Sequence, residues 1–97
     1  MRIIARRTLR EYWEKHPDAE QPLRTWYTTV RQADWQTPSE VKKTYRTASF
    51  IGNDRVVFNI KGNNYRLVVV VVYRHRAVYI RFIGTHREYD GIDVASV

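Results

Sequence analysis

The stretch from Tyr65 to Asp90, YRLVVVVVYRHRAVYIRFIGTHREYD, constrains the fold more than any other part of the chain. Its aliphatic run, Leu67 to Val72, is built of residues that favour strands, and a strand so apolar is an aggregation hazard unless it is central in a sheet. A turn centred between His75 and Arg76 sets Tyr73 opposite Val78, with side chains alternating between two faces. One face then collects Leu67, Val69, Val71, Tyr73, Val78, Ile80 and Phe82, which should lie under helices. The other collects Arg66, Val68, Val70, Val72, Tyr79, Arg81, Ile83 and Thr85, an apolar surface broken by two arginines and a tyrosine.

The preceding strand, Val56 to Ile60, supports this arrangement. It is followed by Lys61, Gly62, Asn63 and Asn64, a composition that tolerates positive backbone dihedrals. Pairing Ile60 with Tyr65 places Phe58 on the apolar face and Asn59 beside Arg66 on the other. Further upstream, Arg2 to Ala5 predicts a short edge strand. Leu9, Tyr12, Trp13 and His16 recur at helical spacing until Pro17. A second helix, with Asp18 as its cap, carries Leu23, Trp26, Tyr27 and Val30 on one face and runs to about Ala33. A short helix follows from Ser39 to about Thr44, capped by Thr37 or Ser39, and Ala48 to Ile51 is extended before a turn at Gly52 to Asp54. Helices followed by strands indicate an α+β fold, an antiparallel sheet packed on one face by two or three N-terminal helices. A length of 97 residues suits a single domain over 1–97.

The charge is the informative part of the composition. Seventeen Lys and Arg against ten Asp and Glu give a formal +7. Most of the cations are arginine, whose planar fork suits phosphate, so the expected partner is nucleic acid or an acidic protein. The absence of cysteine excludes disulfides and thiolate chemistry, and His16, His75 and His86 have no metal-ligand spacing, so neither metal nor cofactor is expected. Leu67 to Val72 is far too short to span a bilayer and the N-terminus lacks a signal-like apolar core, which leads to the expectation of a cytoplasmic protein.

After Gly84, expected to permit a sharp turn, the chain reads Thr85, His86, Arg87, Glu88, Tyr89, Asp90. A lone histidine at a strand end is ordinarily a surface or structural residue, but His86 has Arg66 nearby in the inferred register and Tyr89 and Asp90 one turn on. These groups suit RNA scission by the neighbouring 2′-hydroxyl. His86 can act as base or acid, Arg66 and Arg81 can stabilise the charged phosphorane, Tyr89 can donate a proton or hydrogen bond or stack on a base, and Asp90 can orient His86 or accept from a base edge.

The chain resembles HigB, a group of RelE-like toxins of bacterial toxin and antitoxin pairs. The resemblance rests on Trp35 with Pro38, on VFNIKGNNYRLVVVVVY (Val57 to Tyr73) and on VYIRFIGTHREYD (Val78 to Asp90). It implies a RelE-like fold, metal-independent cleavage of translated messenger RNA on the ribosome, and a cognate HigA-like antitoxin with a helix-turn-helix domain, a heterotetramer being one such assembly. Carried onto this chain, it implies active-site roles for Arg66, Arg81, His86 and Tyr89, with Asn59, Lys61 and Asp90 beside them. Asn64, Tyr79 and Arg87 join Asn59 and Lys61 as expected RNA contacts. Two alternatives stand beside this expectation: a non-catalytic RNA-binding module, for which the arginines and Tyr79 suffice, and a ParE-like toxin acting on a protein target.

Overall fold

The computed structural model describes residues 1–97, and local sequence signals account for most of its elements. Strand β1 (Arg2–Ile4) leads into helix α1 (Arg6–Lys15), which buries Leu9 and Trp13. Pro17 ends α1, because proline disfavours helical backbone in the residue before it and has no N–H to donate. His16 accordingly leaves helical geometry, and Pro17–Ala19 form a short 3-10 turn that opens α2 (Glu20–Gln32). Asp18 does not cap α2 as the sequence suggests. Its carboxylate turns away to Lys61 and Tyr65 on the sheet. Helix α3 (Pro38–Thr44) has Pro38 in its first turn and Thr37 as its cap, the hydroxyl accepting from the Glu40 N–H at 3.4 Å.

Strands β2 (Ser49–Ile51), β3 (Arg55–Ile60), β4 (Tyr65–Val72) and β5 (Ala77–Thr85) follow, and the chain then enters a short helix, α4 (His86–Asp90). The sheet order is β1-β5-β4-β3-β2, with the valine-rich β4 at its centre as its composition requires. The sheet is mixed, not wholly antiparallel, because β1 lies parallel to β5. A hairpin imposes antiparallel pairing, and no hairpin joins these two strands.

Between β3 and β4 the register is the expected one: Ile60 faces Tyr65, Asn59 faces Arg66, and Phe58 falls on the helix side. Between β4 and β5 two features depart from expectation. Tyr73–His75 form a 3-10 turn closed by a left-handed Arg76, so Val71, not Tyr73, faces Val78. A slip of two residues keeps every side chain on its face, and Val78 and Ile80 still point to the helices. A bulge then inserts Arg81 as an extra residue, since Val69 pairs with Ile80 while Val68 pairs with Phe82. One extra residue reverses the alternation beyond it. Ile83 therefore packs against the main core, and Phe82 moves to the second face.

The main core lies between the helices and one face of the sheet. Phe58 is its centre: Trp26 and Tyr45 meet it edge-on at 5.5 and 5.1 Å between ring centroids, and Trp35 stacks on it at 6.3 Å. The second face carries no N-terminal helix, yet Val57, Val68 and Ala77 are buried there, apart from the main core. The C-terminal segment Ile92–Val97 reaches this face, because the main-chain oxygen of Val97 accepts hydrogen bonds from Arg55 on β3 and Arg81 on β5 with β4 between them. No helix is long and apolar enough to cross a membrane.

Candidate functional site

Helix α4 exists because Thr85 and Glu88 form a capping box. The Thr85 hydroxyl accepts from the Glu88 N–H at 3.1 Å and the Glu88 carboxylate accepts from the Thr85 N–H at 2.7 Å. The Thr-x-x-Glu spacing was visible in the sequence and was the signal for a helix there. Gly84 is not a turn residue. It lies within β5, where a Cβ would come to 2.5 Å of the Phe82 ring and 3.0 Å of the Glu88 carboxylate, so glycine is required by close approach.

The box presents His86 as the first residue of α4, exposed and with Nδ1 3.8 Å from Asp90 Oδ1 one turn on. The His86 N–H donates to the Asn64 carbonyl at 3.1 Å, which ties α4 to the turn between β3 and β4. Arg66, in β4 and paired with Gly84, reaches back to the same turn, its guanidinium donating to the Asn63 carbonyl at 3.2 Å and to Asn63 Oδ1 at 3.4 Å. Asn59 sits opposite Arg66 on β3. Lys61 begins the turn with a left-handed backbone (φ 52°), and Arg87, Tyr89 and Asp90 follow His86 in α4. This end of the sheet therefore gathers Asn59, Lys61, Asn64, Arg66, His86, Arg87, Tyr89 and Asp90.

Two candidates are placed elsewhere. Arg81 lies five residues from His86, roughly 16 Å at ~3.3 Å per residue of strand, and its Nε donates to the main-chain oxygen of Val97 at 3.2 Å. Tyr79 pairs with Val70 and with Ile4 of β1, further still from α4. The working surface is thus the end of the sheet, and the middle of the second face is covered.

The structure adds a group that sequence spacing had assigned to packing or capping. The Tyr12 ring stacks on His16 with centroids 4.1 Å apart, meets Tyr65 edge-on at 5.7 Å, and its hydroxyl donates to the Glu88 carboxylate at 3.3 Å. Asp18 accepts from the Tyr65 hydroxyl and from Lys61 Nζ, the latter at 2.9 Å. The helical layer thereby grips both Lys61 and α4, the two sides of the candidate site. No sequence signal links these residues, which come from α1, the 3-10 turn, β4 and α4.

The network shifts its acids in consistent directions. The Thr85 N–H, aided by the Thr85 and Tyr12 side chains, holds the Glu88 carboxyl below the usual carboxylate range. The Tyr65 hydroxyl and then Lys61 do the same for Asp18, while the hydrogen bond to Asp18 pushes the Tyr65 phenol up to about 12. Burial, with Glu88 beside it, drives Tyr12 far above the ordinary phenol value. Because both carboxyls have folded values below their unfolded ones, their stabilisation is full above roughly pH 4 and is lost as the pH falls through the lowered values. Glu88→Gln should therefore lower the melting temperature at neutral pH and converge on the wild type as the pH falls below the lowered Glu88 value. Thermal melts by circular dichroism across that range test this, and an offset that stays constant with pH would assign the effect to packing instead.

No group of three or more His, Cys, Asp or Glu side chains is arranged to hold a metal ion. Comparison with known proteins matches residues 19–92 to the HigB_toxin family, described as a RelE-like toxic component of a toxin-antitoxin system. Among curated proteins, the mRNA interferase toxin HigB of Escherichia coli K12 is 30% identical over 92 residues, spanning 93% of this chain and 88% of that protein. The mRNA interferase HigB of Escherichia coli O157:H7 matches with the same values. The protein of that name from Escherichia coli CFT073 is 25% identical over 92 residues, covering 93% and 89%. The matched family segment begins in the turn before α2 and ends just beyond α4, so it takes in the whole cluster around His86, and the chain belongs to the HigB family of RelE-like toxins, the toxic half of a toxin-antitoxin pair.

Proposed function

We propose that this toxin is an mRNA interferase that cuts translated messenger RNA by transesterification at the α4 end of the sheet. The observation that carries the proposal is an exposed histidine with a carboxylate 3.8 Å from its Nδ1, tied through its backbone N–H to the same turn on which the Arg66 guanidinium is held. With Asp90 facing Nδ1, the imidazole keeps its Nδ1–H on that side and offers Nε2 as the base. His86 takes the proton of the 2′-hydroxyl, and that oxygen bonds to phosphorus as the bond from phosphorus to the 5′-oxygen breaks. Arg66 stabilises the negative charge on the phosphorane. Tyr89, one turn from His86 on α4, supplies the proton to the departing 5′-oxygen. The products are a 2′,3′-cyclic phosphate and a 5′-hydroxyl, and the proton gained by His86 returns through water to the Tyr89 phenolate.

Asn59, Lys61, Asn64 and Arg87 surround this point and are proposed to hold the strand. The similarity to relatives named mRNA interferases supports the choice of substrate. The ribosome is the proposed setting, and a HigA-like helix-turn-helix protein the proposed form of the antitoxin. Mapping RNA 5′ ends by primer extension after brief induction, with and without a translation inhibitor, tests this function. Cuts within translated codons that vanish with the inhibitor are expected. Growth arrest with intact RNA would instead favour a protein target.

A further inference from the structure

Helix α4 presents the groups assigned to base and acid, and yet little holds it in place. It is five residues long and buries none of them, so packing, the usual source of helix stability in proteins, contributes little here. Its capping box is local: it joins α4 to the end of β5 and leaves open how the helix lies against the rest of the molecule. Two hydrogen bonds reach from α4 to other elements. One is the backbone bond from the His86 N–H to the Asn64 carbonyl. The other is the Tyr12 hydroxyl of α1 donating to Glu88 Oε1 at 3.3 Å.

Glu88 Oε1 is the point at which these ties meet. The same oxygen accepts from the Thr85 N–H at 2.7 Å and from Tyr12, and it lies over Gly84, where an added Cβ would come to 3.0 Å of it. Gly84 is in turn the cross-strand partner of Arg66. The donor is held as firmly as the acceptor. The half-buried Tyr12 ring is stacked on His16 with the planes 8° apart and is met edge-on by Tyr65, while Tyr65 also meets His16 edge-on at 6.0 Å. Three rings from α1, the residue that ends it, and β4 thus fix where the hydroxyl points.

We propose that Tyr12 is a positioning residue for RNA cleavage: through Glu88 it sets how α4 lies on the sheet, and so where His86 and Tyr89 stand relative to Arg66, which the sheet itself carries. This rests on the reading of the α4 end as the cleavage centre and deepens it. The role needs no contact between Tyr12 and the RNA. It follows from geometry, since a misplacement of about 1 Å in a proton-transfer group is enough to slow a reaction on the order of 10²-fold.

The test is Tyr12→Phe, which removes the hydroxyl and keeps a ring against His16 and Tyr65. Amide hydrogen exchange followed by NMR, without RNA, should show the His86 and Glu88 amides exchanging about five-fold faster while β3 and β4 keep their wild-type rates. In single-turnover cleavage of messenger RNA on ribosomes, the rate at saturating protein should fall about ten-fold with the half-saturating concentration unchanged, the pattern of an interaction that matters only in the transition state. On a Glu88→Ala background the same change should slow cleavage no further, because the partner of the hydroxyl is already gone. Faster exchange in α4 with an unchanged cleavage rate would overturn the positioning role, as would losses that add in full in the double variant. Unchanged exchange in α4, or exchange that quickens equally in the strands, would overturn the tie itself. A raised half-saturating concentration with an unchanged rate would make Tyr12 a binding group instead. A wild-type chain that leaves RNA intact would refute the cleavage reading and this proposal with it, whereas the other failures leave that reading standing.

Discussion

Replacing His86 with alanine is expected to reduce RNA cleavage by roughly 10²–10⁴-fold, the range lost when a positioned proton-transfer group is removed. The same change should leave folding stability within about 0.5 kcal/mol of the wild type, because an exposed side chain with few partners carries little of the fold. His86 is more than half exposed, and its side-chain partner in the molecule is Asp90 at 3.8 Å. The helix that presents it is held instead by the Thr85 and Glu88 box and by the backbone bond to Asn64. Loss of cutting without loss of fold is therefore the signature sought. Primer extension measures the first quantity and denaturant titration the second. If His86→Ala still cuts the same codons, the base lies elsewhere, and a protein that binds RNA but leaves it intact in both forms would be a binding module.

The largest effect on stability is expected at Trp26. Its side chain is 1% exposed and lies edge-on to Phe58 at the centre of the aromatic core. Trp26→Ala should cost about 3–5 kcal/mol, from lost transfer energy together with the cavity left behind. A chain of this length has a total stability on the order of 5–15 kcal/mol, so the variant should be close to unfolding. Trp26→Phe should cost much less than alanine. The indole Nε1 is buried with no hydrogen-bond partner, and phenylalanine removes that unsatisfied donor while keeping a ring against Phe58. Phe50→Ala serves as the control, since Phe50 is exposed at the edge strand and should shift stability by less than about 0.5 kcal/mol. Urea titrations of the three variants decide the order. Equal losses for alanine and phenylalanine would mean that ring volume is not what stabilises this core.

The sequence alone determined what depends on near neighbours in the chain. The turn Lys61 to Asn64 set the register of β3 on β4, because four residues of that composition close a hairpin in few ways and a one-residue slip would turn Phe58 out of the core. Helical spacing placed Leu9, Trp13, Leu23, Trp26 and Val30 on buried faces, and Pro17 set the break between the helices. The cluster around His86 was legible as well, since the expected register set Arg66 opposite Thr85, one residue from its Gly84 partner, the bulge at Arg81 having taken back part of the slip at the far turn.

Tertiary structure decided the rest, where a residue's role depends on a partner far away in sequence. The bulge at Arg81 has no local signature, and it reversed the faces of Phe82 and Ile83. Asp18 reads as a helix cap until the sheet brings Lys61 and Tyr65 to it, since a charged pair outcompetes a cap that the 3-10 turn does not need. Strand β1 found its parallel place because the edge of β5 was open and no hairpin dictated its direction. The meeting of Arg55 and Arg81 was invisible for the same reason: only the assembled sheet puts two arginines of different strands around the main-chain oxygen of Val97.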